Sequence, residues 1–100
     1  MIVVRNVFQL KFGKARDALA VWKEGRALFQ RAGMPTDNSR LLTDVTGPFY
    51  TLVHELTFDS LTDFEREGRK FMSNEEWHAW YARLTPLCEG GYREVFSVVE

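Results

Sequence analysis

The sequence predicts an α+β fold of the ferredoxin-like type, a four-stranded antiparallel sheet with two helices on one face in the order βαββαβ, the second helix split in two. Three observations predict it. Four segments alternate apolar and polar residues at the two-residue period of a strand, two intervening stretches repeat apolar residues at helical spacing, and a Gly–Pro pair joins the middle two alternating segments directly. Right-handed crossovers then set the first and third strands side by side in the middle of the sheet.

The third strand anchors this reading. From Thr46 to Phe58 a turn leads into a strand with Tyr50, Leu52, His54, Leu56 and Phe58 on one face and Thr51, Val53, Glu55 and Thr57 on the other. His54 is the polar exception in an apolar row. The first strand, residues 2–12, alternates in the same way, with Ile2, Val4, Asn6, Phe8 and Leu10 on one side and Val3, Arg5, Val7, Gln9 and Lys11 on the other. Gly13 breaks it, and Ala15, Ala18, Leu19, Trp22, Arg26 and Phe29 then mark a long amphipathic helix over residues 14–32, stopped by Gly33 and Pro35. A short strand follows over residues 40–46, and Gly47–Pro48 turns it back into the central strand.

Asp59 and Ser60 offer capping oxygens to a second helix whose inward stripe is Leu61, Phe64, Gly68 and Phe71. Ser73 and Glu76 form an S-x-x-E capping box, so a helix restarts there with Trp77, Trp80, Tyr81, Leu84 and Cys88 inward. Pro86 and Gly90–Gly91 end it, leaving residues 92–100 as the last strand, with Tyr92, Phe96 and Val98 opposing Arg93, Val95, Ser97 and Val99.

Composition narrows the function classes. One hundred residues, 45% hydrophobic and 27% charged, suit one globular domain spanning residues 1–100. A net charge of −1 gives no electrostatic footprint for nucleic acid or an anionic membrane. No apolar run is long enough to span a bilayer, and Arg5 and Asn6 interrupt the apolar start, so neither a membrane span nor a signal peptide is expected. Cys88 stands alone as a small hydrophobe, and with no disulfide framework the expected compartment is the cytoplasm. No Cys/His cluster has metal-binding spacing, and neither metal nor cofactor is expected.

Two helices cover only one face of such a sheet. The even-numbered residues of the first and third strands are the more apolar and meet the helices. The other face carries Val3, Val7, Val53, Val95 and Val99 between Thr51 and Thr57, with Arg5 and Glu55 placed to pair. At about 25 cal/mol per Å² of apolar area, burying several valines is worth several kcal/mol, which predicts a homodimer through this face. β-Branched residues chosen for strand propensity alone are the competing explanation.

Here the chain resembles the dimeric α/β barrel superfamily, in its βαββαβ order, its valine-rich second sheet face and its aromatic split helix. Within that group the run EEWHAWYARLTPL, Glu75 to Leu87, is similar to the C-terminal part of NIPSNAP-like domains, with a Trp followed by a Tyr and a Pro–Leu pair before the last strand. The resemblance implies two sheets paired face to face, a small ligand between sheet and helices, and kinship with families many of whose members have no assigned activity. More distantly it extends to the antibiotic-biosynthesis-type monooxygenases and the related haem-degrading enzymes. Asn6 matches the first-strand Asn of the haem-degrading type. Phe64 stands at its Trp position, Trp80 or Tyr81 near its His position, and His78 is offset around the helix, so two of three residues depart.

Asn6 and His54 point to the helix side of adjacent strands, and Arg26 falls on the inward stripe of the first helix. Trp22, Phe64, Trp77, Trp80 and Tyr81 surround them, and an aromatic pocket with a few convergent polar groups is the form of a small-molecule site. His54 has the chemistry of an acid or base, Asn6 of a positioning group. Three functions fit. One is a binder of a small apolar or aromatic molecule; another is a cofactor-independent monooxygenase with His54 as base; the third is a structural or protein-interaction module without ligand. A hydrogen-bonded core histidine, a snorkelling arginine and an aromatic core explain the same residues under the third.

Overall fold

Strands β1 (Ile2–Leu10) and β3 (Thr51–Phe58) pair antiparallel at the centre of a four-stranded sheet, flanked by β2 (Ser39–Thr43) on the β3 side and β4 (Cys88–Ser97) on the β1 side. Helix α1 (Ala15–Arg31) crosses from β1 to β2, and α2 (Leu61–Met72) and α3 (Glu75–Leu84) cross from β3 to β4, all packed on one face. The computed structural model describes residues Met1–Glu100. The ferredoxin-like order, the central pair and the split second helix are as the sequence predicts. No helix is long and apolar enough to cross a membrane.

Local chemistry fixes the helix ends. Gly33 follows α1 at φ 75°, a left-handed conformation that glycine takes without steric cost. The Ser60 hydroxyl accepts from the Asp63 amide at 3.2 Å and starts α2. The cap of α3 corrects the expected Ser73–Glu76 box. Asn74 is the N-cap, its Oδ1 accepting from the Trp77 amide at 2.9 Å, while the Ser73 hydroxyl donates to the Lys70 carbonyl at the end of α2. Asn and Ser are comparable caps, and the tight α2–α3 junction leaves Ser73 to finish one helix and Asn74 to begin the next.

The last strand differs in both extent and phase. A 3₁₀ turn, Thr85–Leu87 with Pro86 in its first turn, ends the helix, and β4 begins at Cys88. Gly90 and Gly91 lie inside the strand, opposite Gln9 and Phe8. A Cβ at Gly91 would sit 2.5 Å from the Val7 carbonyl oxygen, so the glycine permits close strand pairing rather than stopping a helix. The register sets Asn6 opposite Arg93, Val4 opposite Val95 and Val7 opposite Tyr92. Val95 therefore lies on the helix-facing side of the sheet, and Val99 lies beyond the strand; neither belongs to the valine face predicted for them. In their place that face carries Tyr92 and Phe96. Both sides of this edge strand hold apolar residues, so periodicity alone does not set its phase.

The open face also carries a charged ladder. Arg40, Glu55, Arg5 and Glu94 occupy matched positions on β2, β3, β1 and β4. They pair in series, Arg40 to Glu55 at 2.7 Å, Arg5 to Glu55 at 3.5 Å and Arg5 to Glu94 at 3.1 Å.

On the helix side the core divides. Ala18, Val21, Trp22, Leu28 and Phe29 of α1 pack with Trp80 and Leu84 of α3 over Leu10 and Leu52. The Trp80 indole donates to the Val21 carbonyl at 2.6 Å and lies against Gly25, where a Cβ would come within 2.6 Å of the ring. A smaller cluster, Val4, Leu56 and Phe58, meets Phe64 of α2. Helix α2 has no buried residue.

Candidate functional site

A cavity of about 500 Å³ lies between α2 and the strands, within the size range of small-molecule sites. The β1–β3 pairing sets Asn6 directly opposite His54, and both side chains reach this space. Its walls include Phe8, Leu56 and Phe58 from the sheet, Trp22 and Phe29 from α1, and Phe64, Gly68 and Phe71 from α2. Trp77, Trp80 and Tyr81 of α3 close it. The rings hold one another in place. Trp22 and Trp80 meet edge to face at 4.8 Å, Phe29 bridges Trp80 and Phe71 at 5.2 and 5.3 Å, and Trp77 stacks on Tyr81 at 5.0 Å.

His54 rests its ring against Trp22, centroids 4.7 Å apart, and makes no hydrogen bond within the protein. Burial among these rings, assisted by the positive charge of Arg26, lowers its pKa to about 4, so the imidazole is neutral at neutral pH. Asn6 is engaged elsewhere, its Oδ1 accepting from the Arg93 Nε at 2.6 Å. The Arg93 guanidinium also lies over the Phe64 ring, 5.3 Å from its centroid. Two buried polar atoms of the cavity's lining residues, Trp22 Nε1 and Glu67 Oε2, have no partner in the protein.

Of the residues singled out in the sequence, Asn6, His54, Trp22, Phe64, Trp77, Trp80 and Tyr81 line this one cavity. Arg26 does not. It is exposed, and its Nη2 donates to the Thr36 carbonyl at 3.2 Å, because the position one turn after Trp22 lies at the flank of α1 and the long side chain folds back over the following loop. His78 is exposed outside the cavity, its Nε2 2.8 Å from the Met72 carbonyl. No three His, Cys, Asp or Glu side chains come together to hold a metal ion. Cys88 is half-buried at the start of β4, and burial raises its thiol pKa.

Sequence reasoning missed Arg93. The available signal was charge. Placing Glu94 opposite Arg5 on the open face fixes the phase of β4 and turns Arg93 toward the cavity.

No family profile matches the sequence, and no curated protein matches it. Solved structures do. A NIPSNAP family protein from Agrobacterium tumefaciens superposes with a TM-score of 0.85 at 22% identity, over 99% of this chain and 86% of that one. An uncharacterised NIPSNAP domain protein from Burkholderia xenovorans gives 0.83 at 16% identity, over 99% and 95%. More distantly, a cofactor-independent oxygenase from Streptomyces nogalater gives 0.72 at 16% identity, over 99% and 93%. At these identities the likeness establishes the fold, that of NIPSNAP proteins and antibiotic-biosynthesis-type monooxygenases.

Proposed function

We propose that this protein binds a small apolar or aromatic molecule between the sheet and α2, and that it works as a homodimer. The observation that carries the binding reading is the cavity itself, walled by aromatic rings. Close packing is the rule in protein interiors, so an aromatic-walled space of this size is an exception to it. A space of this size, bounded by the rings of all three helices and by the Asn6–His54 pair, supports a ligand that fills it. Mass spectrometry of the native protein purified without added ligand tests this. A bound small molecule released on denaturation is expected; no bound molecule, together with no affinity for any aromatic probe, overturns the reading in favour of a ligand-free module.

The dimer reading rests on the open sheet face. Val7 and Val53 are already covered by their neighbours, but Tyr92 and Phe96 are 62% and 48% exposed there. An apolar patch of this kind favours a partner surface. The ladder across the four strands reads plus, minus, plus, minus. Reversed, it reads the opposite, so a two-fold axis along the strands sets each charge against its complement in a second copy. Sedimentation at micromolar concentration should give twice the monomer mass. Phe96→Asp should give a folded monomer, since the position is solvent-accessible in a single chain. A wild-type monomer contradicts this reading.

A cofactor-independent oxygenase is the second reading, favoured by the fold shared with the Streptomyces nogalater enzyme and by the unpartnered neutral His54, which is free to accept a proton. The low basicity of that imidazole weighs toward binding. Oxygen consumption with candidate phenols and quinols separates the two.

A further inference from the structure

We infer that the cavity selects molecules bearing a carboxylate on an aromatic body, with Arg93 as the residue that takes the carboxylate. The inference rests on the binding reading above and specifies its ligand class. Arg93 is anchored on one edge only. Its Nε donates to Asn6 Oδ1 at 2.6 Å and its plane lies over Phe64, so the guanidinium is held in place while its two terminal nitrogens keep their donors free. No carboxylate pairs with it; Arg69 of α2, the other arginine of the cavity wall, is also without a carboxylate partner but has no side-chain hydrogen bond or ring contact to fix it, so Arg93 is the one held in place. A guanidinium fixed along its Nε edge presents a planar fork that matches the two oxygens of a carboxylate.

Its position suits a head group. Asn6, Phe8, Tyr81 and Arg93 are common walls of the aromatic cavity and of an adjoining groove of about 410 Å³ along β4. Arg93 is exposed, so it stands where the aromatic space meets water. A ligand with its rings under α2 and its charge at this boundary leaves no ion in the apolar interior. Asn6 then acts as a positioning residue, orienting the guanidinium. Of the acidic side chains in the cavity wall, Glu65 and Glu67 both belong to α2, and Glu67 has Lys70 at 3.0 Å to offset its charge.

The test compares 1-naphthoate with 1-naphthamide, a neutral molecule of nearly the same shape, by isothermal titration calorimetry at pH 7.5 on the wild-type protein and on Arg93→Met. The inference predicts at least tenfold tighter binding of the naphthoate to wild type. In Arg93→Met that preference should disappear while the amide affinity stays within about twofold, because methionine keeps the apolar stem over Phe64. Equal affinities in wild type, or a preference that survives in Arg93→Met, overturn the carboxylate assignment and leave the binding reading standing. Failure of both compounds to bind wild type overturns the carboxylate assignment and, where the native protein also releases no bound molecule, the binding reading with it.

Discussion

Gly25 in α1 and Gly68 in α2 are both mid-helix glycines, and their surroundings differ. A methyl group at Gly25 would lie 2.6 Å from the Trp80 indole; one at Gly68 would meet nothing within 4 Å. The contrast runs through the helical layer. Helices α1 and α3 share a dry, interlocked core, with Ala18 and Leu84 fully buried. Helix α2 buries no residue and instead roofs the cavity. One half of the layer supplies stability, which lets the other half leave space. The boundary between them is aromatic, because Phe29 and Trp80 belong to the core cluster and line the cavity at once.

The largest expected effect lies in the packed half. Gly25→Ala removes the space for the Trp80 ring and displaces its hydrogen bond to the Val21 carbonyl. The expected cost is roughly 2–3 kcal/mol, read from the urea midpoint. A neutral result would mean that the two helices slide apart freely and that the packed half is not packed.

The boundary is sharpened by pH. The folded protein holds His54 near pKa 4, against 6.5 for the free side chain. Between those values the unfolded chain takes up a proton that the folded chain refuses, so this contribution to stability is complete above pH 6.5 and falls as the pH drops toward 4. His54→Phe keeps a ring against Trp22 and leaves no protein partner unsatisfied. Relative to that variant, wild type should lose about 2 kcal/mol between pH 7 and pH 4.5. Parallel pH curves for the two proteins would show that water reaches the imidazole freely.

These contrasts also explain what the sequence revealed. The central strands were legible because each has one face of large apolar residues and one of β-branched and polar residues, so register and facing follow together. Their pairing made Asn6 and His54 neighbours before any coordinates, and helical spacing placed Trp22, Phe64, Trp77, Trp80 and Tyr81 on inward stripes. The edge strand β4 carries no such asymmetry, with Tyr92 and Phe96 on one side and Val95 on the other, and its phase came out reversed. That reversal misplaced Val95 and hid Arg93. Arg26 failed for another reason. Spacing locates a Cα on a helix face, while a long charged side chain sends its end group to water.

The smallest stability effect belongs to the roof. Gly68→Ala should raise stability by about 0.5–1 kcal/mol through helix propensity, since nothing obstructs the new methyl group. A loss comparable to that at Gly25 would erase the distinction between the two halves.

The most direct test enlarges the same side chain. Gly68→Leu directs an apolar group into the space under α2, and two readings on the one variant decide the matter: its melting temperature and its titration with 1-naphthamide. The cavity account predicts a melting temperature about 4 °C or more above wild type, as helix propensity and apolar burial both improve, together with loss of the binding seen in wild type. A lowered melting temperature, or amide binding that persists at its wild-type affinity, would contradict it.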